Sequence, residues 1–204
     1  MATEDLFKGC SGKRLGTRLA WLREPPSWEF KADGLEIVPQ GKTDFFRPVT
    51  GDAVDNACLL YTRVTGDFTA VAEAHAVLVG FGDAAALMVR SDAQHWAKIC
   101  IERSPRGDIS IVSVVTDGVS DDTNNEMLSA ARASIRLTRV GRLFGMHYRV
   151  QEGPWRFVRY FSRDLPDQLM VGIHAQAPFG SGCRATFTRF ELEPKGVADF
   201  RSGE

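Results

Sequence analysis

Four segments of this chain place polar and aromatic side chains at every second position, the spacing that puts them on one side of a β-strand. In 95–102, Trp96, Lys98, Cys100 and Glu102 alternate with Ala97, Ile99 and Ile101. In 133–140, Ser134, Arg136 and Thr138 alternate with Ile135 and Leu137. In 143–150, Gly145, His147 and Arg149 alternate with Phe144, Met146, Tyr148 and Val150. In 169–177, Gly172, His174 and Gln176 alternate with Val171, Ile173 and Ala175. If these strands are neighbours in one sheet, their non-core sides converge as a platform of Trp96, Lys98, Glu102, Arg136, Arg149, His174 and Gln176. That set suits a small polar ligand or saccharide, because an aromatic face takes apolar C–H surface and planar polar groups take hydroxyls. Trp96 would then stack, Arg136 and Arg149 would clamp, and Lys98, Glu102, His174 and Gln176 would donate or accept hydrogen bonds. The bland alternative is a charge-paired face covered by loops, with Trp96 packed beneath one of them.

Other chemistries find less support. The run Asp117–Glu126 is dense in the oxygen ligands that calcium takes, but it lacks the order and the glycine of an EF-hand loop. A solvated acidic loop is expected there, with a gating role if it folds over the platform. His75, His95, His147 and His174 show no spacing that would converge on zinc. Neither a Gly-x-Ser-x-Gly elbow nor a phosphate-cradling Gly-rich loop occurs, and Gly180-Ser181-Gly182-Cys183 reads as a turn. No metal and no cofactor is expected.

The elements that must position these residues are short strands. From Trp21 onward, runs rich in Val, Ile, Phe and Thr are separated by turn signals such as Thr65-Gly66-Asp67, Pro105-Arg106-Gly107-Asp108 and Glu152-Gly153-Pro154. Strands are expected at 35–38, 57–64, 67–77, 84–90, 95–102, 108–116, 133–140, 143–150, 155–162, 169–177 and 183–193. One more is expected near 14–19, and a turn or two of helix at 126–133. Trp21, Pro25, Pro26 and Trp28 suit a capped edge, since proline cannot donate to a ladder. The length of 204 residues and 44% hydrophobic content fit one all-β domain, at 21–194, with an N-terminal extension at 1–20 packed on it and a tail at 195–204. A formal net charge of −1 lacks the basic excess of a nucleic-acid binder, and no apolar run is long enough for a transmembrane helix. Met1–Leu6 carries acidic residues where a secretory signal would be basic and then apolar. Cys10, Cys58, Cys100 and Cys183 are widely spaced and read as reduced thiols, so a cytoplasmic location is expected.

Several segments resemble, in order and spacing over about residues 21–193, the family catalogued as domain of unknown function 1349. They are Trp21-Leu22-Arg23-Glu24-Pro25-Pro26-Ser27-Trp28, Thr43-Asp44-Phe45-Phe46-Arg47, Gly66-Asp67-Phe68, Leu87-Met88-Val89-Arg90, Trp96-x-Lys98-x-x-x-Glu102, Val114-Val115-Thr116 with Ser120-Asp121, and Pro178-x-Gly180-x-Gly182. The resemblance implies a concanavalin A-like lectin/glucanase sandwich, a jelly roll of two antiparallel sheets with one concave face. The family includes proteins named for regulation of enolase. The chain departs from the family pattern at Ala84, where Gln is usual, at Asp122, where Trp is usual, and at Cys100, where Gly is usual.

Glucanases of this fold carry Glu-x-Asp-x-(x)-Glu on one strand, a motif absent here. Glu102 is the one carboxylate of its strand, so a partner acid would have to come from another strand, such as the one carrying Glu73. Retaining hydrolysis needs carboxyls about 5 Å apart and inverting hydrolysis roughly 6.5–9.5 Å. The expectation is therefore a non-catalytic ligand-binding module acting through the concave face. The alternatives are a protein-interaction or regulatory protein of metabolism, with a large apolar patch or homo-oligomer, and a glycoside-active enzyme.

Overall fold

A computed structural model describes residues 3–204. Its strands, in chain order, are β1 (Glu4–Asp5), β2 (Ala20–Trp21), β3 (Ser27–Lys31), β4 (Gly34–Val38), β5 (Phe45–Phe46), β6 (Val54–Asp55), β7 (Leu60–Thr65), β8 (Phe68–Val77) and β9 (Ala84–Arg90). There follow β10 (His95–Arg103), β11 (Ile109–Asp117), β12 (Val119–Leu128), β13 (Arg132–Val140), β14 (Leu143–Arg149), β15 (Arg156–Ser162), β16 (Gln168–Gln176) and β17 (Arg184–Glu193). No helix occurs among the described residues.

The strands form a jelly-roll sandwich of two antiparallel sheets. Sheet I runs β15-β14-β13-β8-β17-β4-β3, with β1 added on β17, and sheet II runs β12-β11-β10-β9-β16-β7-β2. The small β5–β6 ribbon stands apart from both. Period-two alternation accounts for the interior. Ala97, Ile99 and Ile101 of β10 and Val171, Ile173 and Ala175 of β16 meet Ile135 and Leu137 of β13 and Phe144, Met146 and Tyr148 of β14 in one core. Trp21 and Trp28 stand at the ends of sheets II and I with ring centroids 5.4 Å apart, and Trp28 Nε1 donates to Glu24 Oε1 at 2.7 Å.

The middle of sheet II is covered on both faces. Every residue of β9 is buried, and Phe45, Ala57, Leu59, Ala84, Ala86, Met88, Trp96, Cys100, Val112 and Val114 make a second apolar cluster on its outer side. A strand buried on both faces reads as a continuous apolar run, as Ala84–Val89 does.

The structure corrects three local expectations. Residues 117–126 are not a loop, because most of them form edge strand β12, paired with β11 from Asp117↔Val119 to Ile109↔Leu128 with one bulge. Their polar, acidic composition is what keeps an exposed edge from recruiting another strand. The helical turn at 126–133 is absent, since β12 runs to Leu128 and β13 starts at Arg132. Near 14–19 there is only an isolated bridge, Ser11↔Arg14, before β2.

Close strand packing fixes one glycine strongly. A Cβ at Gly172 of β16 would collide with the Leu60 carbonyl oxygen and lie 2.9 Å from Tyr61 Cβ. Gly172→Ala is expected to lower unfolding free energy by about 2–3 kcal/mol in urea denaturation, and an unchanged midpoint would show that β16 can shift away from β7.

Candidate functional site

The outer face of sheet II is roofed by the segment that carries β5 and β6. One end is tied to the residue following β16, through Lys42 N to Ala177 O at 2.7 Å and Ala177 N to Thr43 O at 3.2 Å. Further along it is tied to β12 and the turn before it, where Arg47 N donates to Ser120 Oγ at 2.9 Å and Arg47 Nε to Gly118 O at 2.8 Å. Between these ties Phe45 plunges onto the sheet, 5.2 Å from the His174 ring and 6.3 Å from Trp96, centroid to centroid. Arg90 of β9 lies over the same Phe45 ring and makes a bidentate pair with Asp55 at 2.7 and 3.0 Å, which pins the ribbon's second strand.

Lys98 is the buried cation of this face. Its ammonium donates to Asp44 Oδ1 at 2.9 Å, the Phe45 carbonyl at 2.8 Å and Gln176 Oε1 at 2.8 Å, so its three hydrogens are all used. Gln176 in turn donates from Nε2 to the Gly82 carbonyl at 3.0 Å. Burial works most strongly against the charged form of Lys98, but Asp44, Cys100 and Glu102 together outweigh it and hold the ammonium above its ordinary value.

Beside this network opens a cavity of about 120 Å³. Lys98, Gln176, Asp44, Glu102 and Asp122 supply its polar wall, and Phe46, Val114, Gly82 and Pro178 its apolar one. At its mouth Phe81 and Phe179 stack at 4.9 Å with a 5° interplanar angle, and they remain 44% and 70% exposed. Because Lys98 is committed elsewhere, Glu102 and Asp122 lack a partner side chain among the described residues. Burial, opposed by Lys98 and reinforced by Asp122, Asp44 and Asp83, pushes the Glu102 carboxyl up to about 8. Burial also raises Asp122, again against the pull of Lys98.

Of the seven residues expected to converge, Lys98, Glu102 and Gln176 do line this cavity. Trp96 does not: it is 2% exposed, packed under Phe45, and cannot stack on a ligand. His174 is fully buried beneath the same ring, with both ring nitrogens unpartnered among the described residues. Burial, followed by Lys98 and Arg90, depresses it well below the ordinary histidine value, so it is neutral and shielded. Arg136 and Arg149 belong to β13 and β14 of sheet I, and the clamp expected of them does not exist at this cavity. Alternation assigns a face but not a sheet, so Arg136 and Arg149 read in the sequence like the residues of sheet II.

Sequence reasoning missed Asp44, Asp122, Phe46, Phe81 and Phe179 as cavity residues. Asp122 was legible in principle: read as a strand, 119–128 puts it opposite Val114, which in turn sits opposite Lys98. The cysteines are free thiols, and burial pushes Cys58 up to about 11 and Cys183 up to about 12, which suits inert packing. Among the described residues no cluster of metal-ligating side chains forms, and no helix is long and apolar enough to cross a membrane.

Comparison with known proteins matches residues 21–195 to the family described as "Protein of unknown function (DUF1349)". The chain belongs to this family. A relative in Saccharomyces cerevisiae, named "Regulation of enolase protein 1", is 29% identical over 174 residues, covering 84% of this chain and 87% of that protein. The crystal structure of a functionally unknown S. cerevisiae protein superposes with a TM-score of 0.82 at 27% identity, over 90% of this chain and 98% of that one. More distant structures share the fold alone. The GH43 BlXynB protein from Bacillus licheniformis has a TM-score of 0.73 at 16% identity, over 93% of this chain but 38% of that one. The carbohydrate binding module CBM66 from Bacillus subtilis has a TM-score of 0.56 at 16% identity, over 87% of this chain and 96% of that one. Ala84 and Cys100 lie in the apolar cluster on the outer side of sheet II, and Asp122 lines the cavity.

Proposed function

We propose that the chain is a non-catalytic ligand-binding module whose cavity on the outer face of sheet II takes a small hydroxyl-rich ligand of the saccharide class. The observation that carries this is the pair of unpartnered carboxyls, Glu102 and Asp122, in a cavity whose one lysine is already saturated. Glu102, pushed up to about 8, offers a proton as well as acceptor oxygen, and Asp122 offers acceptors, so the wall suits hydroxyls that both donate and accept. A polyol supplies them, and its C–H surface finds the Phe81–Phe179 pair at the mouth. The fold shared with a carbohydrate binding module agrees with this use. Hydrolysis fits less well, because the Glu-x-Asp-x-(x)-Glu strand motif of glucanases of this fold is absent from the chain.

A glycan array combined with a thermal-shift screen of neutral sugars and polyols tests the proposal. At least one hit is expected, weakened tenfold or more by Asp122→Asn and by Phe179→Ala. A blank screen, or hits indifferent to both substitutions, would remove the saccharide class. Turnover of an aryl glycoside, abolished by Glu102→Gln, would favour the enzyme instead. A second reading, protein interaction, is favoured by the exposed Val77, Val79, Phe81 and Phe179 and by the name of the yeast relative. It predicts a stable oligomer or partner complex in size-exclusion chromatography that survives Asp122→Asn.

A further inference from the structure

The two arginines that the cavity excludes form a cluster of their own on sheet I. Arg136 is 5% exposed, yet no carboxylate lies within 4.0 Å of it among the described residues; its Nη2 donates to the Gly203 carbonyl at 2.7 Å, and its Nε has no partner. Arg149 meets only the solvent-exposed Glu152 at 3.4 Å, and its Nε is also unpartnered. Both guanidiniums lie over the Trp155 ring, at 4.2 and 4.8 Å from its centroid. His147, on β14 opposite Arg136, donates from Nε2 to the Phe200 carbonyl at 2.7 Å and leaves Nδ1 without a partner.

Two guanidiniums sharing one indole without an acid between them is an unbalanced arrangement. A buried charge is costly unless it is paired and hydrogen-bonded, and like charges side by side add to the cost. What stands against the cluster is the strap of residues 195–204. Its Gly203 is buried with φ +80°, and a Cβ there would collide with Arg136 Nη2 and lie 3.1 Å from His147 Cδ2 and 3.2 Å from Trp155 Cβ. A turn closed by Gly203 N to Asp199 O at 2.9 Å shapes this tip. The strap thus presents two neutral carbonyl oxygens, of Phe200 and Gly203, to donors that favour charged oxygen.

We propose that Arg136, Arg149 and His147 around Trp155 form an oxyanion site, for a phosphate or carboxylate group, which the 199–204 tip occupies in cis. The Gly203 carbonyl stands where a ligand oxygen would bind, and an anion that takes the site releases the tip. The site is independent of the cavity on sheet II.

Hydrogen exchange of residues 196–204 and tryptic cleavage after Arg201 read the tip directly in the full chain. At constant ionic strength, inorganic phosphate or citrate should speed both several-fold over chloride, and the two anions separate phosphate from carboxylate recognition. Gly203→Val should evict the tip and tighten calorimetric binding of the preferred anion at least tenfold. Arg149→Gln, on the less buried arginine, should abolish that gain without endangering the fold. The proposal is overturned if Gly203→Val frees the tip yet neither anion binds better than chloride. It is equally overturned if affinity is the same in wild type and Gly203→Val, or if binding survives Arg149→Gln.

Discussion

Replacing Lys98 with methionine is expected to lower unfolding free energy by about 3 kcal/mol, the low end of the range for breaking a buried ion pair. Methionine keeps most of the lysine stem's volume, so the loss is electrostatic and not a cavity effect. Without the ammonium, the Asp44 carboxylate, the Phe45 carbonyl and Gln176 Oε1 lose their common donor at once. Asp44 is partly accessible and can recover water, which keeps the cost from the top of the range. The roof should loosen with it, since Asp44 and Phe45 belong to that segment. Urea denaturation gives the free energy, and hydrogen exchange at 43–56 reports the roof. Asp44→Asn added to Lys98→Met should restore part of the loss, because it removes the stranded charge. Equal stability of wild type and Lys98→Met would show that the network contributes nothing net.

Glu102→Gln is expected to do the opposite at alkaline pH. The folded carboxyl titrates at about 8, against an ordinary value of 4.5, so between those values the folded state holds a proton that the unfolded state releases. Stability from this group is complete below about pH 4.5, declines as pH rises, and is gone above pH 8. Glutamine carries no such proton and removes the decline. The variant should match wild type near pH 4 and exceed it by ~2 kcal/mol at pH 9, a figure reduced from the full linkage value because the carboxyl faces a water-accessible cavity. Denaturation midpoints from pH 4 to 9 check this; parallel curves for the two proteins would mean that Glu102 ionises freely in the fold.

How much of this was legible beforehand follows from what a period of two can say. It separates Ile99 from Lys98, and it placed the inner faces of β10, β13, β14 and β16 in the core. It cannot say which strands share a sheet, so Arg136 was set beside Lys98 although the two lie on different sheets. Nor does it reveal what covers an outer face. Trp96 and His174 do sit beside Lys98, but Phe45, arriving from a distant upstream segment, lands on them. The uninterrupted run Ala84–Val89 was the available sign that sheet II is covered on both sides. Strand β12 escaped because Ser120–Glu126 has no apolar alternation, and an edge strand needs none. Asp122, the carboxyl that turns a structural network into a candidate site, was hidden with it.

The most direct test of the cavity as a ligand site is NMR of ring-labelled phenylalanine, with Phe81 and Phe179 assigned by leucine substitution and the strongest saccharide hit titrated in. Saturable shifts are predicted for Phe46, Phe81 and Phe179, with the rings of Phe200 in the distant strap and of Phe157 beside it unmoved. Shifts confined to Phe157 and Phe200, or none at the cavity mouth at saturating ligand, would contradict the assignment.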